Sequence, residues 1–317
     1  MNIPNGQIDT RSLSFEELSK MSGLSMTSVT DAVQNKDLVG MDYIALTAVE
    51  IDNVEKRVKS ILNSDTIIKA GIDQIDRWRL GWQEILKDVR LNGLSEMTLT
   101  PQYFKHDVLR FNGNYIWPIK HNFENRVFRM LKAIYFEQYL APLSHVIEFG
   151  CGTGANLLQI HKRFPEIQLT GCDWAEPSQE LINEINIVSG SKIKAVNFNM
   201  FTLEGKEKLD FTNSTGVVTF HAMEQLGKNF RPFLAMLIDK RPAVCVHLEP
   251  IVEFYDKNLV FDNYAINYHN KRNYLNGFLQ ALNKYEKYGK IKVLQTHRCR
   301  FGSIFQEAYS LVAWKVV

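Results

Sequence analysis

The sequence contains no uninterrupted run of about 18 apolar residues, the length that a helix needs to cross a lipid bilayer. Its first residues also lack the basic segment and the apolar core of a secretory signal. Both absences predict a cytoplasmic protein without a membrane partner. Hydrophobic residues nevertheless make up 45% of the 317 residues, which is enough for a buried core and excludes a disordered or fibrous chain.

Cysteine is scarce, and its spacing fits no metal site. The four cysteines lie far apart in the sequence: Cys151, Cys172, Cys245 and Cys299. Structural zinc sites take their ligands from closely spaced pairs, so we expect buried, reduced thiols instead. The sequence also lacks a carboxylate cluster of the kind that binds divalent cations, and we therefore predict no metal.

Charge is nearly balanced, and the formal net charge of +2 is too small to imply a nucleic-acid partner by itself. Basic residues are more frequent between Lys271 and Arg300 than elsewhere. We interpret this basic cluster as a solvated helix face, and an anion-attracting rim is the alternative.

Two short helices separated by a turn are predicted near the N-terminus. Ser14 and Glu17 have the spacing of a capping box, and Gly23 can turn the chain before a second helix at residues 25–33. This order resembles a helix-turn-helix, but the second helix has no Arg or Lys with which to contact phosphates or guanines. We therefore expect a packing or homodimerisation module that does not bind DNA.

The chain divides into two regions. Apolar residues recur at helical spacing over residues 41–89, and an aromatic segment at residues 111–118 reads as irregular. After Pro142, short apolar runs alternate with helical segments, which is typical of a parallel sheet with crossover helices. We predict a helical accessory region at residues 1–110 and an α/β domain at residues 111–317.

Seven strands are predicted in the α/β domain, and the last two have no helix between them. The predicted strands cover residues 145–149, 168–172, 193–198, 216–220, 243–248, 290–296 and 309–316. The last two strands indicate a hairpin, with a turn near Gly302, that closes an otherwise parallel sheet.

The clearest functional motif lies between the first of these strands and the helix that follows. Residues 148–154 read Glu-Phe-Gly-Cys-Gly-Thr-Gly. Glycine permits a sharp turn and a close approach of a ligand to the backbone, and the helix N-terminus presents N–H groups. A nucleotide-like ligand is implied. The motif also satisfies the looser glycine pattern of NAD and FAD proteins.

Three features together resemble the class I, Rossmann-like superfamily of S-adenosylmethionine (SAM) dependent methyltransferases. They are the acid two residues before Gly150, the alternating glycines and the terminal antiparallel hairpin. The resemblance covers residues 117–317. It implies a seven-stranded, mainly parallel sheet, SAM as cofactor and S-adenosylhomocysteine (SAH) as product. An NAD-dependent oxidoreductase and a non-catalytic SAM- or DNA-binding regulator are the alternatives from other classes.

The resemblance also implies where the cofactor binds. Asp173 ends the second strand, where this superfamily places the acid that accepts the ribose hydroxyls, and Trp174 follows it beside the adenine. Asn199 stands where many relatives have an acid that binds the adenine amino group. The other predicted cofactor-binding residues are Glu148, Gly150, Cys151, Gly152, Gly154, Met200, Phe220 and Trp117.

Candidate catalytic residues follow the fourth and fifth strands, at the edge where open α/β sheets bind ligands. His221 and Glu224 are three residues apart and can act as a base and the carboxylate that orients it. His247 ends the fifth strand and is the second candidate base. The predicted acceptor-binding residues are Glu249, Tyr264, Tyr268 and His269.

We expect the methyl group to go to an oxygen or nitrogen of a small molecule, such as a sugar or a natural-product intermediate in a biosynthesis. The reason is that large accessory helical regions commonly cover small-substrate pockets in this superfamily. The basic cluster keeps a peptide or RNA substrate as the alternative.

Overall fold

The computed structural model describes residues 9–101 and 106–317. The strands are β1 Thr10–Ser12, β2 Asp42–Ala45, β3 Leu109–Phe111, β4 Asn114–Pro118, β5 His145–Phe149, β6 Gln168–Asp173, β7 Lys194–Asn197, β8 Thr215–Phe220, β9 Val244–Glu249, β10 Ile291–His297, β11 Phe301–Ser303 and β12 Ser310–Val316. The helices are α1 Phe15–Ser22, α2 Met26–Ala32, α3 Asn35–Leu38, α4 Ala48–Asn63, α5 Ile75–Asn92, α6 Glu96–Leu99, α7 Phe123–Tyr139, α8 Ala155–Arg163, α9 Glu176–Ser189, α10 Arg231–Lys240, α11 Val260–Arg272 and α12 Phe278–Lys287.

The apolar runs after Pro142 form a seven-stranded sheet in the order β10-β12-β9-β8-β5-β6-β7. The strands from β9 to β7 pair in parallel, and β12 pairs antiparallel with both β9 and β10. This is the mainly parallel sheet with a terminal antiparallel pair that the resemblance implies. The predicted fold class is therefore confirmed.

The sheet is covered on both faces, which explains why its central strands are continuously apolar. Val146 of β5 packs in one core cluster with Leu157 of α8, whereas its neighbour Ile147 packs in another with Phe233 of α10. Successive side chains of a strand point to opposite faces, so each core forms from every second residue. The edge strand β10 has one covered face and alternates between buried and exposed residues accordingly.

A second, antiparallel sheet, in the order β1-β2-β4-β3-β11, was not predicted from the sequence. The aromatic segment at residues 111–118, which we expected to be irregular, belongs to the hairpin of β3 and β4. Asn112 and Gly113 turn this hairpin with φ angles of 51° and 83°. Such positive φ values at both turn residues match the right-handed twist of the flanking strands.

The connection between β10 and β12 differs from the simple turn that we predicted near Gly302. There the chain leaves the large sheet and forms β11, which pairs with β3. The second sheet thus joins strands from both sides of the boundary predicted after residue 110. That boundary stays a prediction.

The N-terminal helices form as predicted. Glu17 N–H donates to Ser14 Oγ at 3.2 Å, Ser14 N–H donates to Glu17 Oε2 at 2.9 Å, and Gly23 ends α1 with a φ of 68°. Farther along, α5 packs against α9, and Arg90 pairs with Glu180 and Glu184. Within residues 9–101 and 106–317, no helix has both the length and the apolar character of a bilayer-spanning segment.

Candidate active site

A cleft of about 1010 Å³, including the solvent at its mouth, opens at the carboxyl ends of β5, β6, β7 and β8. Open α/β sheets bind ligands at this edge because the strand ends and the loops after them converge there. The glycine turn after β5 forms the floor of the cleft. Residues of α5, α6 and α7 approach it from the opposite side.

The glycine turn needs glycine for both conformation and space. Gly150, Gly152 and Gly154 have φ angles of 70°, 51° and 75°, a region that other residues rarely adopt. A Cβ atom on Gly150 would lie 2.3 Å from Cβ of Ala222, and one on Gly152 would lie 2.9 Å from Cζ2 of Trp82. The turn is thus packed closely by the elements that cover it.

The backbone amides of this turn are largely engaged within the protein. Gly150 and Cys151 donate to the carbonyl oxygen of Cys172, at 2.7 and 3.0 Å. Gly152 N–H donates to Asp173 Oδ2 at 2.9 Å. A bound diphosphate requires free N–H groups at such a turn, and here three of them already have acceptors. These three amides are therefore not available to a bound anion.

One end of the cleft pairs a carboxylate with aromatic rings. Asp173 is only 6% exposed, and its other oxygen accepts the N–H of Ala175 at 2.9 Å. Burial raises the pKa of Asp173 to about 6, but this is still below neutral pH, so the carboxylate is mainly ionised there. Trp174 stacks on Phe201, with ring centroids 5.5 Å apart and an interplanar angle of 15°. Asp173 and Trp174 both line the cleft, as the sequence predicted.

The other end is lined by Lys132 and Asn156, with the carboxyl group of Glu148 buried behind Asn156. Lys132 of α7 donates from Nζ to Oδ1 of Asn156, and its ammonium lies 4.3 Å from the centroid of the Phe128 ring. Asn156 donates to Glu148 Oε1 at 2.6 Å, whereas Glu148 Oε2 is buried without a hydrogen-bond partner. Burial lowers the pKa of Lys132 and raises that of Glu148. Sequence reasoning missed Lys132, although a lysine within the apolar run Met-Leu-Lys-Ala-Ile was a signal.

His221 faces the cleft directly after β8. Its backbone is in the left-handed region, with a φ of 56°, and its ring lies 5.5 Å from Phe128 and 4.9 Å from Tyr309. Burial lowers the pKa of His221 to about 3, so the imidazole is neutral, and its buried Nε2 has no hydrogen-bond partner. A neutral imidazole of this kind can accept a proton or a hydrogen bond from a ligand.

The structure brings Glu224 close to His221, as predicted, but not into hydrogen-bond contact. Oε2 of Glu224 lies 3.7 Å from His221 Nδ1, which is too far for a hydrogen bond. Burial raises the pKa of Glu224 to about 8, so the carboxyl group is protonated at neutral pH. Glu224 lies beside His221 and behind the wall of the cleft.

His247 is not available as a base, which corrects the sequence prediction. Its side chain is fully buried, Nδ1 lies 2.9 Å from the hydroxyl of Thr219, and Nε2 accepts the indole N–H of Trp314 at 3.0 Å. Both ring nitrogens are thus engaged inside the sheet. His247 stabilises the packing of β9 between β8 and β12.

Glu249 also has a structural position and does not reach the cleft, contrary to the prediction. Its Oε1 accepts the N–H groups of Ala222 and Met223, each at 3.1 Å, and its Oε2 accepts that of Glu224 at 3.2 Å. These bonds fix the turn that follows His221. Glu249 therefore positions the segment that carries the candidate base.

Three further predicted residues lie away from the cleft. Asn199 Oδ1 accepts the N–H of Phe201 at 2.8 Å, so its oxygen stabilises a local turn. Trp117 packs in an apolar cluster of α4 and β4. Tyr264 donates its hydroxyl proton to Glu55 at 3.0 Å. The residues that line the cleft as predicted are Gly150, Cys151, Gly152, Asp173, Trp174, Met200, Phe220 and His221.

Tyr268 and His269 belong to a buried region behind Glu224. Tyr268 stacks on Phe305, with centroids 4.8 Å apart, and the His269 ring lies 5.7 Å from Tyr274. Both ring nitrogens of His269 are buried without hydrogen-bond partners. Tyr274 lies near Glu224 and lowers the pKa of its carboxyl group, against the larger effect of burial. This region therefore continues the polar surroundings of His221 into the protein interior.

The accessory region contributes directly to the cleft. Trp78 and Trp82 of α5 line it, and so do Leu99, Thr100 and Pro101. These residues were not among the predicted site residues. In the part of the chain that the structure describes, no three His, Cys, Asp or Glu side chains are grouped as metal ligands.

The order of the strands and the glycine turn after β5 match the seven-stranded, Rossmann-like fold that the sequence resemblance implied. No protein-family model matches the chain, and no curated protein matches it. Among solved structures, the plantazolicin methyltransferase BpumL in complex with SAH is 12% identical, with a TM-score of 0.42, over 83% of this chain and 98% of that one. Human N-acetylserotonin methyltransferase in complex with SAM is 11% identical, with a TM-score of 0.41, over 60% and 54%. A SAM-dependent methyltransferase from Aquifex aeolicus is 14% identical, with a TM-score of 0.39, over 55% and 82%.

Proposed function

We propose that the protein is a SAM-dependent methyltransferase that methylates an oxygen or nitrogen of a small molecule. The chemical difference between the two ends of the cleft is the observation that supports this proposal. Asp173 and the Trp174–Phe201 pair suit a nucleoside at one end, and Lys132 with Asn156, backed by Glu148, suits an amino-acid group at the other. SAM is a nucleoside joined to an amino acid, so its two ends match the two ends of the cleft.

The nucleoside end supplies the contacts that an adenosine needs. The carboxylate of Asp173 can accept hydrogen bonds from both ribose hydroxyls, because it is ionised and held in place by two backbone amides. Trp174, Phe201 and Met200 provide apolar surface for the adenine ring.

The amino-acid end matches a zwitterion. An amino-acid group carries a carboxylate, which suits the ammonium of Lys132, and an ammonium, which suits Glu148 Oε2. Buried charges are stable only when they are paired and hydrogen-bonded, and this ligand completes both pairs. The ammonium would also favour the ionised form of Glu148, whose pKa is raised by burial in the protein alone.

The same features argue against a dinucleotide. A diphosphate at the glycine turn would find three amides already engaged and the carboxylate of Asp173 beside them. The NAD-dependent alternative is therefore disfavoured.

SAM supplies a methyl group on a positively charged sulfur, which is already a good donor. The protein then has to align the acceptor with this methyl group and exclude water. His221 lines the cleft, and its Nε2, which has no partner in the protein, can accept a hydrogen bond from the hydroxyl or amine of the acceptor, which directs a lone pair towards the methyl carbon. Its low pKa makes it a weak base, so we assign it an orienting role.

The covered cleft supports a small acceptor over a peptide or RNA. Trp78, Trp82 and Leu99 close the side opposite the glycine turn and limit the space for a macromolecule. Tyr268 and His269, which the sequence assigned to the acceptor, lie behind Glu224 and outside the lining of the cleft. The accessory region then serves as a cover, while the predicted homodimer and the cytoplasmic location stay predictions.

Thermal unfolding with added ligands tests the proposed cofactor. A ligand that binds only the folded state at about 100 times its Kd stabilises that state by about 2.7 kcal/mol. We expect SAM and SAH to raise the melting temperature and NAD to leave it unchanged. If NAD alone raised the melting temperature, the result would contradict the proposal and favour the NAD-dependent oxidoreductase instead.

Replacing Lys132 with Met tests the amino-acid end. The variant loses a charged hydrogen-bond donor, which costs about 1.5 to 3 kcal/mol of binding free energy, or about 10- to 150-fold in affinity for SAM. Titration calorimetry with methylthioadenosine, which lacks the amino-acid group, provides the control. We expect its affinity to be unchanged in K132M, and an equal loss for both ligands would contradict the assignment.

A further inference from the structure

Two tryptophans of α5 form an aromatic wall above the glycine turn. The rings of Trp78 and Trp82 stack with centroids 5.4 Å apart and an interplanar angle of 29°. Trp82 is the inner ring: a Cβ atom on Gly152 would lie 2.9 Å from Cζ2 and 3.2 Å from Cη2 of its indole. The indole and the glycine turn therefore border the same part of the cleft.

This part lies between the two charged ends. Gly152 donates to Asp173 at the nucleoside end, and the turn that contains it leads into α8, whose Asn156 lines the amino-acid end together with Lys132. A ligand that spans both ends must pass this point with its middle. On the basis of the proposed function, the middle of the ligand is the sulfur atom that joins the nucleoside to the amino acid.

The positive charge on that sulfur needs a particular kind of partner. A sulfonium has no N–H or O–H group, so it cannot donate a conventional hydrogen bond. The carboxylates of Asp173 and Glu148 are assigned to the ribose and the ammonium. A cation of this kind is bound well by the face of an aromatic ring, and tryptophan is the best of the aromatic side chains for it.

We infer that Trp82, supported by Trp78, binds the sulfonium through a cation–π interaction and makes the protein prefer SAM to SAH. SAH carries a neutral thioether and gains nothing from the negative face of the indole. The accessory region thus helps the protein to distinguish the positively charged SAM from the neutral SAH. The loss of this interaction after methyl transfer favours release of the product.

Titration of SAM and SAH against the wild type and Trp82→Leu tests this inference. A buried cation–π interaction is worth up to about 2 kcal/mol, so the affinity for SAM should fall by roughly 5- to 30-fold. The affinity for SAH should change much less. Trp82→Phe keeps an aromatic face and should retain a part of the preference.

The ratio of the two affinities is measured within one protein sample, so it does not depend on the fraction that is folded. Trp117→Leu is the matched control, because it makes the same change at a partly buried tryptophan outside the cleft. Its ratio should equal that of the wild type. An equal loss for SAM and SAH in W82L, or no loss for either, would overturn the inference. Wild-type protein that binds neither ligand would instead refute the proposed function, on which the inference rests.

Discussion

Gly152→Val is expected to lower the affinity for SAM by at least about 100-fold, or about 2.7 kcal/mol. Two effects combine in this variant. A branched side chain is strained at a φ of 51°, and its Cβ would lie 2.9 Å from the indole of Trp82. The turn or the tryptophan must move, and either movement changes the shape of the cleft. Titration calorimetry measures the loss.

Gly190→Val is the matched control for this variant. Gly190 ends α9 with a φ of 71°, so valine is strained there too, but no atom lies within 4 Å of the added Cβ. We expect this control to lose stability and to keep its affinity for SAM. Wild-type affinity in G152V would remove the glycine turn from the binding site.

Asp173→Ala is expected to weaken both SAM and methylthioadenosine by about 10- to 150-fold. The variant removes a charged acceptor of hydrogen bonds, at a cost of about 1.5 to 3 kcal/mol. Both ligands contain the ribose, so both should be affected, in contrast to K132M. The variant also leaves the buried N–H groups of Gly152 and Ala175 without an acceptor, and its melting temperature should fall.

Asp210→Ala provides the comparison for that experiment, since it makes the same change at an exposed aspartate paired with Lys194. Its affinity for both ligands should match the wild type. If D173A kept its affinity for methylthioadenosine, the nucleoside would have to bind elsewhere in the cleft.

The large sheet was predictable because its strands are short apolar runs separated by helices. The second sheet was not, because its strands have only three to five residues each and pair with distant parts of the chain. Periodicity reports the local conformation of a segment and gives no direct information about such distant partners. The strand β11 was missed for this reason.

The same limit applies to the candidate site. The glycine turn and Asp173 were found because their spacing along the chain reflects one local geometry. Trp82 and Lys132 were missed, because helices α5 and α7 bring them to the cleft from outside the motif. Histidine is a residue type that often acts in catalysis, so the sequence alone suggested a base at His247. Only the contact with Trp314 on the neighbouring strand shows that the imidazole of His247 is engaged.

The pairing of β11 with β3 limits how this protein can be recombined with its relatives. A chimera that exchanged residues 1–110 alone would break the pairing at Leu109 and Arg110 and leave β11 facing a foreign strand. It would also replace the tryptophans that cover the glycine turn. A working exchange has to include β4 and residues 298–309 together with the accessory region, because β4 pairs with β2 and β3, and β11 pairs with β3.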